Sequence, residues 1–170
     1  MLDPRSSPSL PAPTDFPAGI RLAQPGDRSQ LLAILTMAHA DNGFGGMDMN
    51  AIEAALDSSQ FVFAIIPGPR GIEAVLGLVA AKPWWGDAST WHWKEALCFV
   101  APDCRRSRHF SKLMAFAHYW SNVAKAPVII DVMPRERLDA KMKAFGRHGK
   151  LVGGTFLFGD PEPRYLSEAA

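Results

Sequence analysis

Three apolar runs follow one another between residues 61 and 100, with only turn-rich stretches between them. Phe61 to Ile66 ends at Pro67-Gly68-Pro69, and Ile72 to Ala81 is entered through Gly71. A third run, Trp91 to Val100, follows the turn-rich stretch Pro83 to Ser89 and is stopped by Pro102. Apolar runs of this length, bounded by proline and glycine, read as strands. The short joint between the first two, entered through Gly71, predicts an antiparallel hairpin. After Pro102 the period changes. Phe110, Leu113, Met114, Ala117 and Trp120 recur at helical spacing and predict one long helix over roughly Ser107 to Ala124.

The flanks complete the order. Ile20-Arg21-Leu22-Ala23 is a short alternating run, ended by Gln24-Pro25-Gly26-Asp27. Asp27 has the place of a helix N-cap, with Gln30 in the capping-box position. Leu31, Ile34, Leu35 and Ala38 give that helix its apolar face, and Asn42-Gly43 and Gly45-Gly46 break it. Asn50 with Glu53 repeats the capping pattern before a second short helix lined by Ile52, Ala55 and Leu56. Val128 to Val132 reads as a buried strand. Leu138, Met142 and Phe145 mark a last helix stopped by Gly149, and Leu151 to Phe158 closes the sheet. The order β-α-α-β-β-β-α-β-α-β predicts an α+β domain with a mixed sheet.

Composition sets outer bounds. A chain of 170 residues, 48% hydrophobic and 21% charged, suits one soluble globular domain. A net charge of +1 gives no global reason for a nucleic-acid or membrane partner. No stretch approaches the roughly 20 apolar residues that span a bilayer. Five prolines among serines make residues 1–18 a disordered tail by composition, leaving 19–170 as the domain. The N-terminus lacks the basic and apolar regions of a signal peptide, and Cys98 and Cys104 form no disulfide framework, so a cytoplasmic protein is expected.

The densest chemical signal runs from strand to helix: Val100-Ala101-Pro102-Asp103-Cys104-Arg105-Arg106-Ser107-Arg108-His109-Phe110-Ser111. Unpaired N–H groups at a helix start, aligned with its dipole, hold anions. Three arginines add charge-assisted hydrogen bonds, each worth roughly 1.5–3 kcal/mol, and Ser107 and Ser111 add hydroxyls. A diphosphate is the natural guest. A solvated basic turn and a nucleic-acid patch are the competing readings, and the second lacks basic residues elsewhere to support it.

At these residues the chain resembles the GNAT superfamily of N-acetyltransferases. The family's strand end and loop usually read V-x-P-x-x-R-G-x-G-x-G/A, and Val100, Pro102 and Arg105 fall at the matching places, with Leu113 at the usual leucine. Ile20 to Asp27 looks like the family's first strand and helix start, and Phe145-Gly146-Arg147-His148-Gly149 like its Y-x-x-x-G-F segment. The resemblance covers about residues 19–159. It implies a three-layer α/β/α domain around a central mixed, mostly antiparallel sheet, splayed near the fourth and fifth strands. It also implies acetyl-CoA as co-substrate, direct transfer of the acetyl group to a primary amine of a small molecule or peptide, and a homodimer as a common state. Cys98, Phe99 and Val100 would pair with the pantetheine arm, and residues 105–111 would hold the diphosphate, through Arg105, Arg106, Ser107, Arg108, His109, Phe110 and Ser111.

The chain departs from the family in two places. Arg106, Arg108 and Phe110 stand where the family has glycines, which suits a loop of ordinary helical torsion rather than one with positive φ. Phe145 stands where many members carry the tyrosine that protonates the leaving thiolate, and it has no proton to give. Tyr119 and Thr155 are the candidate substitutes. Glu95, on the fourth strand before the cofactor-binding end, is the expected base, ahead of Asp87 and His92. The same residue also reads as a surface carboxylate paired with a lysine.

Trp84, Trp85, Trp91 and Trp93 suit an acceptor pocket or simple packing. His39, His92, His109, His118 and His148 show no zinc-ligand spacing, so no metal is expected. Cys104 reads as a plain loop cysteine without a histidine partner. Beside the acyltransferase stands a second reading, a non-catalytic acyl-CoA-binding regulatory module.

Overall fold

The computed structural model describes residues 16–42, 48–82, 91–131 and 138–151. The tail, apart from Phe16 to Ala18, lies outside them, as do Trp84, Trp85, Asp87, Thr155 and all but the first residue of the closing strand expected from Leu151.

Strand β1 (Arg21–Leu22) leads through a 3-10 turn (Pro25–Asp27) into α1 (Arg28–Asn42) and α2 (Met49–Asp57). Then come β2 (Phe61–Gly68), β3 (Gly71–Ala81) and β4 (His92–Val100). A second 3-10 turn (Pro102–Cys104) precedes α3 (His109–Ala124), followed by β5 (Val128–Ile129) and α4 (Leu138–Phe145). The sheet runs β1-β2-β3-β4-β5; its first three pairings are antiparallel and the β4–β5 pairing is parallel. It is therefore the mixed, mostly antiparallel sheet expected of the α+β class.

Each face carries its own core. Leu31, Ile34 and Ala38 of α1 bury against Ile65, Val75 and Phe99. On the other face Leu113, Met114, Phe116, Ala117 and Trp120 of α3 cover Ala64, Leu76, Leu78 and Trp93. Trp93 meets Trp120 edge-on at 5.3 Å between ring centres, so this tryptophan belongs to the core. Burying a large apolar side chain is worth roughly 1.5–3 kcal/mol, which makes these two seams the main stabilising elements. Layering of α1 and α2, sheet, α3 and α4 follows from the apolar stripes.

Two extra residues disturb the ladder. On β3, Ile66 faces Ala74 while Pro67 faces Ile72, so Glu73 is unmatched. On β4, Gly77 faces Leu97 and Leu78 faces Glu95, so Ala96 is unmatched. Because side chains alternate along a strand, each bulge reverses the phase beyond it. Trp93 shares the α3 face with Cys98 and Val100, five and seven residues on, while Leu97 and Phe99 pack with α1.

The capping residues differ from expectation. Asp27 does not cap α1 toward Gln30; its carboxylate turns back to accept the Gln24 N–H at 2.8 Å and a two-pronged contact from Arg21 at 2.5 and 2.7 Å. Arg21 offers charge-assisted bonds that a distant amide side chain cannot match. The second helix is capped by Asp48, which accepts the N–H groups of Asn50 and Ala51, so the cap sits two residues before Asn50. Glu53 bonds Arg28 instead.

Candidate functional site

Strand β4 touches β5 for only two residues, Trp93 beside Val128 and Lys94 beside Ile129. Lys94 extends the contact through an ion pair with Asp131 at 3.1 Å. From Glu95 to Val100, no described strand occupies that edge. Ala101 donates its N–H to the Glu73 carbonyl on β3 at 2.9 Å. By the alternation of strand amides, Phe99 also faces β3, while Cys98 and Val100 direct their N–H and C=O groups to the open edge. Of the three residues expected to pair with an added arm, two thus have the geometry for β-strand addition.

Glu95 stands at the fork. Opposite Leu78, it lies on the α3 side of the sheet, and its carboxylate accepts the backbone N–H groups of Cys98 and Asp131. Burial and then the charge of Asp131 raise its carboxyl from 4.5 to about 7, against the opposing pull of Lys94 and the two N–H groups. A carboxylate poised near neutrality suits proton transfer. Asp131 carried no signal of this role in sequence, because its proximity arises only from the parallel β4–β5 pairing.

The open edge leads into the mouth of α3. Arg108 is its N-cap and makes no side-chain cap bond, while His109 donates its N–H to the Ser107 hydroxyl at 3.1 Å. The turn satisfies the N–H groups of Cys104, Arg105 and Ser107 on the carbonyls of Ala101, Pro102 and Cys104. Among the described residues, the N–H groups of Arg106, Arg108, Phe110 and Ser111 meet no protein acceptor. Four unpaired donors between residues 106 and 111, at the positive end of a 16-residue helix, suit an anion. No non-glycine residue from 101 to 111 has positive φ, so the side chains at the family's glycine places impose no strain.

The three arginines divide. Arg106 and Arg108 are exposed and have no acidic partner among the described residues. Arg105 is engaged: it bonds Asp41 near the end of α1 at 2.7 Å and lies 5.8 Å from the Phe99 ring centre. It ties α1 to the turn.

Other expected residues find places in packing. Phe110 turns away from the mouth and meets Phe145 edge-on at 4.8 Å, with His148 at 5.8 Å. Phe145 is thereby part of the α3–α4 seam. Tyr119 lies against Phe16 and Phe116. Trp91 carries Lys82 over its ring at 4.0 Å. Cys104, read from sequence as lacking a histidine partner, stands beside His109 and Glu73. No helix among the described residues is long and apolar enough to cross a membrane.

No family model and no curated protein matches the chain in sequence. Solved structures do match in shape. A ribosomal-protein-alanine N-acetyltransferase from Brucella melitensis biovar Abortus 2308 superposes with a TM-score of 0.64 at 12% identity, covering 83% of this chain and 97% of its own. The aminoglycoside 6'-N-acetyltransferase AAC(6')-IG from Acinetobacter haemolyticus gives 0.62 at 12%, covering 83% and 97%. AAC(6')-Iy, in complex with the bisubstrate analog CoA-S-monomethyl-acetylneamine, gives 0.63 at 13%, covering 83% and 96%. The chain has the GNAT fold.

Proposed function

We propose that this protein is an acetyl-CoA-dependent N-acyltransferase that moves the acetyl group directly to a primary amine of a small molecule or a peptide. The observation that carries the reading is the continuity of the open β4 edge with the donor-lined mouth of α3. An extended pantetheine arm would add to Cys98 and Val100 as a strand, and the diphosphate would sit on the N–H groups of Arg106, Arg108, Phe110 and Ser111, flanked by two guanidinium groups. Similarity to a fold that in AAC(6')-Iy accommodates a CoA conjugate supports the same placement.

Attack requires an uncharged amine. Glu95, with its carboxyl near 7, would take the proton from the acceptor ammonium directly or through water. The nitrogen then attacks the thioester carbon, the carbonyl oxygen gathers charge, and CoA thiolate leaves. Thiolate would recover a proton from the new ammonium or from solvent, since Phe145 has none to offer. The Cys98 N–H would serve as a main-chain donor for the developing oxyanion once the Glu95 carboxylate yields it.

Calorimetric titration with acetyl-CoA, followed by thiol release over a panel of amines, tests the assignment. Binding with thiol release supports it. Absence of binding at millimolar acetyl-CoA refutes it. Binding without release across the panel supports the alternative, an acyl-CoA-binding regulatory module, which the aromatic burial of Phe145 favours.

A further inference from the structure

Glu73, Cys104 and His109 come from three different elements: the bulge of β3, the 3-10 turn and the first residue of α3. Their carboxylate oxygen, sulfur and imidazole nitrogen all lie within 4.8 Å of one another, and each residue is half-buried. His109 Nε2 stands 2.8 Å from a Glu73 oxygen. A carboxylate acceptor there fixes the proton on Nε2 and leaves Nδ1 with a bare lone pair. Nδ1 is shielded from solvent and has no partner among the described residues.

Local backbone is shaped around the carboxylate. Glu73 is the unmatched residue of its bulge, and its side chain folds across Gly68 on the neighbouring strand. A β-carbon on Gly68 would coincide with the Glu73 carboxylate, so glycine is what gives that group its place. Gly71, at φ +120° in the same hairpin, allows the turn that brings Glu73 under the loop.

A nucleophilic triad is the first alternative, and the electrostatics oppose it. Burial and the adjacent Glu73 charge push the Cys104 thiol up, whereas an activated cysteine needs the opposite. A divalent ion reverses that balance by binding the thiolate.

We propose that Glu73, Cys104 and His109 form a site for a zinc-class transition-metal ion, with three protein ligands and a fourth position left to water. Thiolate and imidazole select this class over magnesium or calcium, which take oxygen ligands. Tetrahedral zinc, with bonds of about 2.0–2.3 Å, needs ligand atoms roughly 3.3–3.8 Å apart. The cluster reaches this by modest closure around the sulfur and a slight opening of the Glu73–His109 contact. Binding through Nε2 moves the imidazole proton to Nδ1 and releases one proton, from the Cys104 thiol; the site becomes neutral, one carboxylate and one thiolate against two positive charges. The ion would lash the sheet to the turn and the turn to α3. Histidine spacing along the chain conceals such a site, because the third ligand comes from a strand more than thirty residues earlier. It does not depend on the acyltransferase reading.

The test uses the full chain after chelator dialysis, without any CoA compound. Zinc chloride titration by calorimetry is expected to show one equivalent bound, and cobalt(II) to give a thiolate charge-transfer band. Cys104→Ser and His109→Gln should each weaken zinc binding at least about 10-fold. Gly68→Ala should do the same by displacing Glu73, and Cys98→Ala should leave the cobalt band intact. Zinc should raise the Tm of the wild type and not that of Cys104→Ser, whose metal-free Tm serves as the folding control. No binding at millimolar zinc, a cobalt complex without the thiolate band, or zinc binding indifferent to Cys104→Ser and His109→Gln would each overturn the proposal.

Discussion

The Glu95 carboxylate accepts the backbone N–H of Cys98, three residues further along the same strand, across the bulge at Ala96. One side chain thus occupies the very amide that the proposed function assigns to an incoming thioester. Its raised carboxyl has opposite consequences for stability and activity. Folded, Glu95 titrates near 7 rather than 4.5, so its protonated form is favoured by folding. That contribution is fully present below pH 4.5 and is lost as pH rises through 7, amounting to roughly 3 kcal/mol. Base function needs the deprotonated form, so turnover should rise across the same range. Glu95→Gln is expected to flatten the stability slope between pH 4.5 and 7 in chemical denaturation. In steady-state assays it should lower kcat by about 10²–10⁴-fold and remove the pH-dependent rise. A kcat left unchanged would remove Glu95 from the mechanism.

Arginine substitutions should separate by role. Arg106→Ala and Arg108→Ala each remove a guanidinium that has no acidic partner among the described residues, so cofactor Kd should rise about 10- to 100-fold with little change in Tm. Arg105→Ala breaks the bond to Asp41 and should change cofactor affinity less than either. Calorimetry of the three variants side by side checks the order.

At the other end of the sheet, the Arg21 hydrogen bond, helped by the Gln24 N–H, holds the Asp27 carboxyl at about 2 rather than 3.8. This stability is present above pH 3.8 and is lost as pH falls through 2. Since the Arg21 side chain is 40% exposed, solvent screening limits the value to about 1 kcal/mol. Asp27→Asn should lower the midpoint of urea unfolding at pH 7 and leave the midpoint near pH 2 almost unmoved.

Gly77 lies where β3 crosses beneath an aromatic ring. A β-carbon there would stand 3.1 Å from Phe63 Cε1 and 3.3 Å from Cδ1, closer than ordinary packing allows. Gly77→Ala should destabilise by about 1–3 kcal/mol, read as a lower Tm. Truncating the obstacle in the double variant Phe63→Leu/Gly77→Ala should relieve part of that loss.

Much of the fold was legible because its determinants are local. The run of strands around Gly71 and Pro102, and the stripe Phe110–Leu113–Met114–Ala117–Trp120, carry their periods in plain view. The helix mouth was legible for the same reason, since strand, proline and helix are consecutive. Partners brought together by topology were hidden. Nothing near Arg105 announces Asp41, and Asp131 meets Glu95 only through the β4–β5 fork. Capping failed where a competing cation was near: Arg21 outbid the backbone for Asp27, a contest that needs the β1 register to foresee.

Ala96 makes the length of β4 a matter of reading frame. Deleting that single alanine would restore an unbroken ladder and, with it, the wrong parity from residue 97 onward. Cys98 and Val100 would swing toward α1, Phe99 would be thrust at α3, and the amides at the fork would trade edges. An insertion or deletion between Glu95 and Leu97 must therefore come in pairs to leave the fork intact.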